Sequence, residues 1–218
     1  MIRRQQTVNK AAGLNEVRAV VFDVGETLID ETRMWTARAR SAGVTPFTLM
    51  GLIGALIERG QDHRNIWTIL ETDCPTTPLP VCAEDFYPDA LDCLHRVKRA
   101  GFTVGIAGNQ PCDTVSRLET LGVAADFIAS SADWNVSKPS PEFFDRVISA
   151  AGVAAHQILY VGDRVDNDIL PAHAAGLRTA LIRRGPWGYL HSALAESTHA
   201  DLQLTSLTEL GTALTDNG

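Results

Sequence analysis

The sequence has no long hydrophobic run and no closely spaced pair of cysteines. No apolar stretch approaches the roughly 18 residues that a membrane-spanning helix needs. The basic start of the chain is followed by no apolar segment of the kind found in a secretory signal. The cysteines, at positions 74, 82, 93 and 112, include no C-x-x-C pair, so neither a zinc site nor a disulfide framework is indicated. We therefore expect a cytoplasmic protein with reduced cysteines and no membrane partner.

The sequence also has fewer basic than acidic residues. Lys and Arg number 19 against 26 Asp and Glu, which gives a formal net charge of −7. A surface of this sign repels nucleic acid and anionic membranes. A small anionic metabolite remains an acceptable partner, because a local site can be positive within a negative molecule. A monomer and a homodimer both fit this sequence.

The residues that are present indicate one globular α/β domain carrying an insert. The chain has 218 residues, of which 45% are hydrophobic and 21% charged. Short apolar runs alternate with helix-like segments such as 88–100, 140–151 and 166–175. The runs that predict strands are 17–22, 102–107, 127–130, 158–161, 179–182 and 202–204. This alternation predicts a doubly wound parallel sheet, whose ligands bind beyond the carboxyl ends of the strands.

One segment, residues 33–80, interrupts the alternation. It contains helix signals, including Thr45 as a cap before Pro46 and a second helix at 63–72, but no convincing strand. Prolines 75, 78 and 80 mark a linker at its end. We interpret residues 33–80 as a small helical cap inserted after the first strand. The core then comprises 17–32 and 81–214, and residues 1–16 form an N-terminal extension.

Several polar side chains stand where the predicted strands end. Asp23, Asn109 and Asp163 each follow a strand, Asp168 lies within the helix after Asp163, and Lys138 precedes another helix. A parallel sheet brings such positions together. Clustered carboxylates repel each other and raise each other's pKa, which a hard cation such as Mg²⁺ relieves. Magnesium beside a lysine and free backbone amides makes a phosphate site, in which a carboxylate can attack phosphorus.

Four segments resemble the motifs of the haloacid dehalogenase-like (HAD) hydrolase superfamily. They are FDVGETL (22–28), GIAGNQP (105–111), SKPSPEFF (137–144) and VGDRVDNDILPAHAAG (161–176). The resemblance extends from about residue 17 to residue 210. It implies a Rossmann-like core, and residues 33–80 occupy the position of the family's helical C1-type cap.

The resemblance also implies roles for individual residues. Asp23 would be the nucleophile, and Lys138 would be a catalytic residue that faces the phosphate. Gly108 and Asn109 would contribute to phosphate binding. The ligands of a magnesium ion would be Asp23, the backbone carbonyl of Gly25, Asp163 and Asp168.

Two positions depart from the family pattern. Phosphatases of the family usually carry a second Asp, two residues after the nucleophile, as the general acid; this chain has Gly25 there, followed by Glu26. The second motif usually supplies a Ser or Thr hydroxyl, and this chain has Gly108. General acid–base catalysis raises the reaction rate roughly 10²–10⁴-fold. One hydrogen-bond donor to the charge that develops in the transition state raises the rate about 10²–10³-fold. Glu26 or a residue of the cap are alternative proton donors.

These observations predict a magnesium-dependent, phosphatase-like hydrolase. It would act on a small phosphorylated metabolite through an aspartyl-phosphate intermediate on Asp23. One alternative is a carbon–halogen hydrolase of the haloacid dehalogenase type, which also lacks the second Asp but uses no magnesium. Another is a non-catalytic family member that binds a phosphorylated ligand. Metal dependence of turnover separates the three.

Overall fold

The computed structural model describes residues 14–75 and 79–215, and its centre is a six-stranded parallel sheet. Most of the predicted N-terminal extension (1–13) and Pro78 of the linker lie outside the described residues. The strands are β1 Ala19–Phe22, β2 Thr103–Gly108, β3 Phe127–Ser130, β4 Ile158–Gly162, β5 Arg178–Ile182 and β6 Leu202–Leu204. Their order is β3-β2-β1-β4-β5-β6, and every pairing is parallel. The predicted doubly wound α/β fold is confirmed.

Ten α-helices connect or follow these strands in the described part of the chain. They are α1 Thr32–Ser41, α2 Pro46–Glu58, α3 Ile66–Ile69, α4 Ala90–Arg99, α5 Asp113–Thr120, α6 Ser131–Trp134, α7 Pro141–Ala151, α8 Leu170–Ala174, α9 Gly185–His191 and α10 Leu207–Thr215. Short 3₁₀ turns cover Leu14–Glu16, His63–Asn65, Ala83–Asp85, Ala155–Gln157 and Ala195–His199. Among the described helices, no single one is long and apolar enough to cross a membrane, although α1 and α2, bent by 106°, reach that length and composition as a pair.

Both faces of the sheet are covered, which explains the continuous apolar runs of its strands. In β1, Val20 and Phe22 pack on one face with α4 and α10. Ala19 and Val21 point to the other face, where α7 covers them. Strands buried on both sides have no polar alternation, because neither face meets water.

The predicted helix at 166–175 is wrong in its first half. Residues Val165–Ile169 form a π-helical turn, and the α-helix begins only at Leu170. Pro171 lacks the amide hydrogen that an α-helix would bond to the carbonyl of residue 167, which prevents a regular helix across this position. The turn leaves Asp168 fully buried at the edge of the sheet.

The inserted segment is helical where it is described. Helix α2 begins after Thr45, whose Oγ1 accepts the Thr48 amide at 3.1 Å, and Pro46 occupies its first position. The second predicted helix, 63–72, is shorter than expected, because only a 3₁₀ turn and α3 form there. The segment has its own apolar cluster, formed by Trp35, Leu49, Ile53, Ile66, Trp67 and others, which Trp187 of α9 completes. The domain boundaries at 33 and 80 stay a prediction.

Candidate active site

Three carboxylates meet at the carboxyl edge of the sheet. Asp23 directly follows β1, and its amide donates to the Val161 carbonyl of β4 at 2.8 Å. Asp163 follows β4, and Asp168 comes from the π-helical turn. One ligand oxygen of each carboxylate lies within 4.8 Å of the others, and all three residues are buried. The sheet therefore brings together the acids that the sequence singled out.

Lys138 supplies the positive charge of this cluster. Its Nζ lies 2.7 Å from Oδ1 of Asp23 and 2.6 Å from Oδ1 of Asp168, and its side chain is 1% exposed. Burial acts to lower the pKa of Lys138, but Asp168 and Asp23 outweigh it and hold the pKa well above its ordinary value. The residue is therefore a fixed ammonium ion.

Asn109 holds the loop that carries this lysine. Its Nδ2 donates to the Lys138 carbonyl at 2.9 Å, and its Oδ1 accepts the Lys138 amide at 2.8 Å. The two bonds fix the backbone on both sides of the Lys138 Cα. The side chain of Asn109 thus contacts the lysine loop, a partner that the sequence did not indicate.

The two remaining acids carry opposite patterns of hydrogen bonding. Oδ2 of Asp168 accepts the Arg164 amide at 2.9 Å, whereas Oδ2 of Asp163 is buried without a hydrogen-bond partner among the described residues. Burial, with Asp168 and Asp23 nearby, raises the pKa of Asp163 well above its usual range. Burial also raises the pKa of Asp168 to about 6, although Lys138 opposes the rise. An orphaned carboxylate oxygen in an acidic cluster is what a bound cation would satisfy.

Gly108 ends β2 directly against the nucleophile position. A Cβ atom on this residue would lie 2.4 Å from Oδ1 of Asp23 and 3.3 Å from Cγ2 of Val24. The carboxylate of Asp23 therefore occupies the space that a Ser or Thr side chain would need.

Both carboxylate oxygens of Glu26 accept hydrogen bonds, which makes this residue a poor candidate for the proton donor. Its Oε2 accepts the Tyr87 hydroxyl at 2.5 Å, and its Oε1 accepts the Glu31 amide at 3.2 Å. The residue adopts a left-handed backbone with φ of 51°, and it is 7% exposed. Burial raises its pKa, while the bond from Tyr87 opposes the rise. Both carboxylate oxygens of Glu26 thus accept hydrogen bonds that hold the loop between β1 and α1.

Sequence reasoning missed Glu31, which lines the same cavity as Asp23 and Lys138. The Trp35 indole Nε1 donates to its Oε2 at 3.1 Å. Burial, helped by the Glu26 carboxylate, raises the pKa of Glu31 to about 7. Glu31 lies just before α1, a helix that the sequence analysis did not predict, and acids are common at helix starts for reasons of helix stability, so no signal singled it out.

A cavity of about 1030 Å³ opens between this edge of the sheet and the inserted segment. Its lining from the inserted segment includes Arg33, Arg38 and Trp35. Arg33 is neutralised by Asp85, with Nε 2.7 Å from Oδ1 and Nη2 2.5 Å from Oδ2. Arg38 lies 4.8 Å from the centre of the Trp35 ring. Basic charge from the insert therefore reaches the cavity mainly through Arg38.

Arg164, which the sequence analysis also did not single out, lines the cavity from the core side. Arg164 lies 5.0 Å from the centre of the Trp187 ring, and its Nη2 is 2.7 Å from Oδ2 of Asp166. Trp187 also belongs to the apolar cluster of the insert. The insert and the core thus meet beside the acidic cluster.

A parallel sheet with a buried lysine and an acidic cluster at its carboxyl edge is a Rossmann-like α/β fold with a candidate catalytic site. The family model described as haloacid dehalogenase-like hydrolase matches residues 17–176, and the chain belongs to this family. A relative over most of the chain is the glyceraldehyde 3-phosphate phosphatase of Methanopyrus kandleri. It is 27% identical to this chain over an alignment of 201 residues. The alignment covers 78% of this chain and 86% of the relative. The chain is accordingly a hydrolase with phosphatase relatives.

Solved structures of a HAD-hydrolase and of a haloacid dehalogenase share the fold. The HAD-hydrolase YfnB of Bacillus subtilis, solved bound to magnesium, superposes with a TM-score of 0.67 at 20% identity, covering 91% of this chain and 99% of that one. The L-2-haloacid dehalogenase of Xanthobacter autotrophicus gives 0.62 at 18% identity, with 89% and 97% covered. At these identities the likeness establishes the fold alone.

Proposed function

We propose that the protein is a magnesium-dependent phosphatase that hydrolyses a small phosphorylated metabolite through a phosphoryl group carried on Asp23. The observation that supports this function best is the buried group of three carboxylates, two of which pair with the Lys138 ammonium ion. The third, Asp163, has no such pairing with Lys138, and the like-charge repulsion within the group favours a further cation.

The donor set fits magnesium. Oδ2 of Asp163 is buried with no hydrogen-bond partner in the part of the chain that the structure describes. Carboxylate and carbonyl oxygens are the ligands that a small hard cation prefers. Asp23, Asp163, Asp168 and the carbonyl of Gly25 would hold the ion. When bound, magnesium stabilises negative charge on the phosphoryl oxygens of the transition state.

The residues of the chain supply the covalent chemistry. A carboxylate oxygen of Asp23 attacks phosphorus and forms an O–P bond, while the bond from phosphorus to the leaving oxygen breaks. Water then attacks phosphorus, inorganic phosphate departs and the Asp23 carboxylate is restored. Lys138 has three N–H donors, of which two face Asp23 and Asp168. The third donates to a phosphoryl oxygen and offsets the charge that develops there.

The cavity suits a small substrate. Its volume of about 1030 Å³ reaches the upper end of the range of roughly 300–1,000 Å³ typical of small-molecule sites. Arg38 offers a positive charge on the side of the insert for an anionic group beyond the phosphate. Glyceraldehyde 3-phosphate, which names the relative above, is the first substrate to test. A cytoplasmic location and a monomeric or homodimeric state stay predictions from the sequence.

One observation favours a second candidate, a carbon–halogen hydrolase. Position 25 lacks the acid that family phosphatases use, and a dehalogenase needs no acid there. The unpartnered oxygen of Asp163 weighs against it, because the resemblance gives dehalogenases no metal ion. Turnover of 2-haloacids without magnesium would decide for this candidate.

The test is a hydrolysis panel run with magnesium and with EDTA. The substrates are acetyl phosphate, 4-nitrophenyl phosphate, glyceraldehyde 3-phosphate and 2-chloropropionate. The proteins are the unsubstituted chain, D23N and the control D145N, which changes an exposed acid of α7. We expect phosphate release that requires both magnesium and Asp23 and that D145N retains.

The other outcomes are equally informative. Halide release that survives EDTA and requires Asp23 would replace the phosphatase by a dehalogenase. Binding of phosphate esters without turnover of any substrate would indicate a non-catalytic role.

A further inference from the structure

The space beside Gly25 is filled by a carboxyl group from elsewhere in the chain. A Cβ atom on Gly25 would lie 2.5 Å from Oε1 of Glu31 and 2.9 Å from its Cδ. Contacts this short mean that the Glu31 carboxyl occupies the volume into which a side chain at position 25 would project. The acid missing from position 25 has a counterpart six residues later.

The loop between β1 and α1 brings Glu31 to this place. The Glu26 amide donates to the Ile29 carbonyl at 2.7 Å, and the Glu31 amide donates to Oε1 of Glu26 at 3.2 Å. These bonds fold residues 25–31 into a compact turn. The left-handed conformation of Glu26 reverses the chain so that Glu31 returns to Gly25.

Trp35 fixes the orientation of the carboxyl group. Its indole lies one turn further along α1, is 5% exposed and donates to Oε2 of Glu31 at 3.1 Å. The other oxygen, Oε1, is the one nearest Gly25. Glu31 keeps part of its surface exposed and lines the cavity together with Asp23 and Lys138. The group is anchored at Oε2, while Oε1 lies beside Gly25 in the wall of the cavity.

From this geometry we infer that Glu31 is the general acid of the phosphatase reaction, in place of the side chain that Gly25 lacks. The inference rests on the function proposed above. As the Asp23 oxygen bonds to phosphorus, the Glu31 carboxyl gives its proton to the departing oxygen. The Glu31 carboxylate then takes a proton from the water that attacks phosphorus, which releases phosphate and restores Asp23 and protonated Glu31.

Glu26, the acid next to Gly25 in sequence, is less suited to the role. Its two oxygens accept bonds from Tyr87 and from the Glu31 amide. Its side chain also packs where a Cβ on Gly185 would lie, 2.5 Å from Cγ. Glu26 supports the loop, and Glu31 faces the substrate.

A general acid is diagnosed by the dependence of rate on the leaving group. Acetyl phosphate and 4-nitrophenyl phosphate expel stable anions, whereas an alkyl phosphate such as glyceraldehyde 3-phosphate needs a proton at the departing oxygen. We expect E31Q to lower kcat on the alkyl phosphate by roughly 10²–10⁴-fold and to change kcat on acetyl phosphate much less. E26Q, the matched variant, should leave the ratio of the two rates unchanged.

A second experiment moves the carboxylate. In E31A the space beside position 25 is open, so the double variant G25D/E31A should recover alkyl phosphate hydrolysis relative to E31A. G25D alone should lose activity, because the introduced carboxyl group and that of Glu31 would then compete for one volume. A purely structural role of Glu31 predicts no such recovery.

The results separate the two levels of the proposal. If hydrolysis requires Asp23 but E31Q slows alkyl and acyl phosphates equally, Glu31 is not the general acid, and the phosphatase stands. If E26Q rather than E31Q changes the ratio, the acid is Glu26. If the unsubstituted chain releases no phosphate from any ester, the proposed function falls and this inference falls with it.

Discussion

Replacing Lys138 with Met removes the positive charge that pairs with Asp23 and Asp168 while keeping a side chain of similar length. The Lys138 side chain is 1% exposed, that of Asp168 is 0% exposed, and that of Asp23 is 11% exposed. Breaking a buried ion pair by removing one partner costs about 3–5 kcal/mol, because the other partner is left charged and unpaired. We expect the free energy of unfolding of K138M in metal-free buffer to be lower than that of the unsubstituted protein by this amount.

The assay is urea unfolding followed by tryptophan fluorescence in EDTA at neutral pH. For a chain of this length each kcal/mol shifts Tm by about 2–4 °C, so a loss on the order of 10 °C should appear in a thermal scan. K138R, which keeps the charge, should lose less stability than K138M. If K138M is too unstable to purify, K138R and the double variant below still provide the comparison.

A double-mutant cycle isolates the pair. D168N removes the acid that lies closest to the Lys138 ammonium, so K138M/D168N should be more stable than K138M alone. A coupling free energy of about 0.5–3 kcal/mol is expected for residues in direct contact. K138M within about 1 kcal/mol of the unsubstituted protein, or additive effects in the cycle, would refute the electrostatic account of this cluster.

Two further predictions concern charge. D163N should raise Tm in EDTA, because burial penalises the ionised form of Asp163. The same substitution should abolish the stabilisation by magnesium, which for a bound ligand reaches about 2.7 kcal/mol at a concentration 100 times Kd. Burial also lowers the pKa of His191, whose Nδ1 accepts the Val165 amide at 3.0 Å. The unfolded state therefore takes up the His191 proton first as pH falls below about 6.5, which on its own contributes a loss of stability of up to about 1.4 kcal/mol per pH unit. H191N lacks this contribution, so its stability relative to the unsubstituted protein should improve as pH falls, measured by urea unfolding.

Each of these predictions has a clear contrary result. A magnesium-dependent rise in Tm that survives in D163N would remove Asp163 from the metal site. The exposed substitution D145N is the control for general effects of losing an acid. Equal slopes of stability against pH in the unsubstituted protein and in H191N would show that His191 is not the group responsible.

Most of the fold could be predicted because its signals are local. The strands are buried on both faces and therefore appear as uninterrupted apolar runs, as in β1 and β4. The acids were found because Asp23 and Asp163 directly follow such runs. The π-helical turn was missed, because Asp166 and Asp168 suit the first turn of an ordinary helix and the effect of Pro171 lies beyond them.

The neighbours of the site residues depend on contacts that no local pattern encodes. Asn109 bonds to the Lys138 backbone, 29 positions away in the chain. Glu31 meets Gly25 because the intervening loop is held by Tyr87, 61 positions from Glu26. Side-chain positions of this kind follow from tertiary packing and could not be read from spacing.

Gly108 shows why a departure from a family pattern is not simply a loss. Its missing side chain leaves the space that Oδ1 of Asp23 occupies, 2.4 Å from where a Cβ would stand. G108S would restore the family hydroxyl but would push the nucleophile away from Lys138. Because misplacing a reacting group by about 1 Å can cost 10²-fold, we expect kcat to fall in G108S and equally in G108A. A kcat for G108S above that of the unsubstituted protein, with G108A reduced, would show instead that the hydroxyl is tolerated and that the close approach of Asp23 to Gly108 is not required for catalysis.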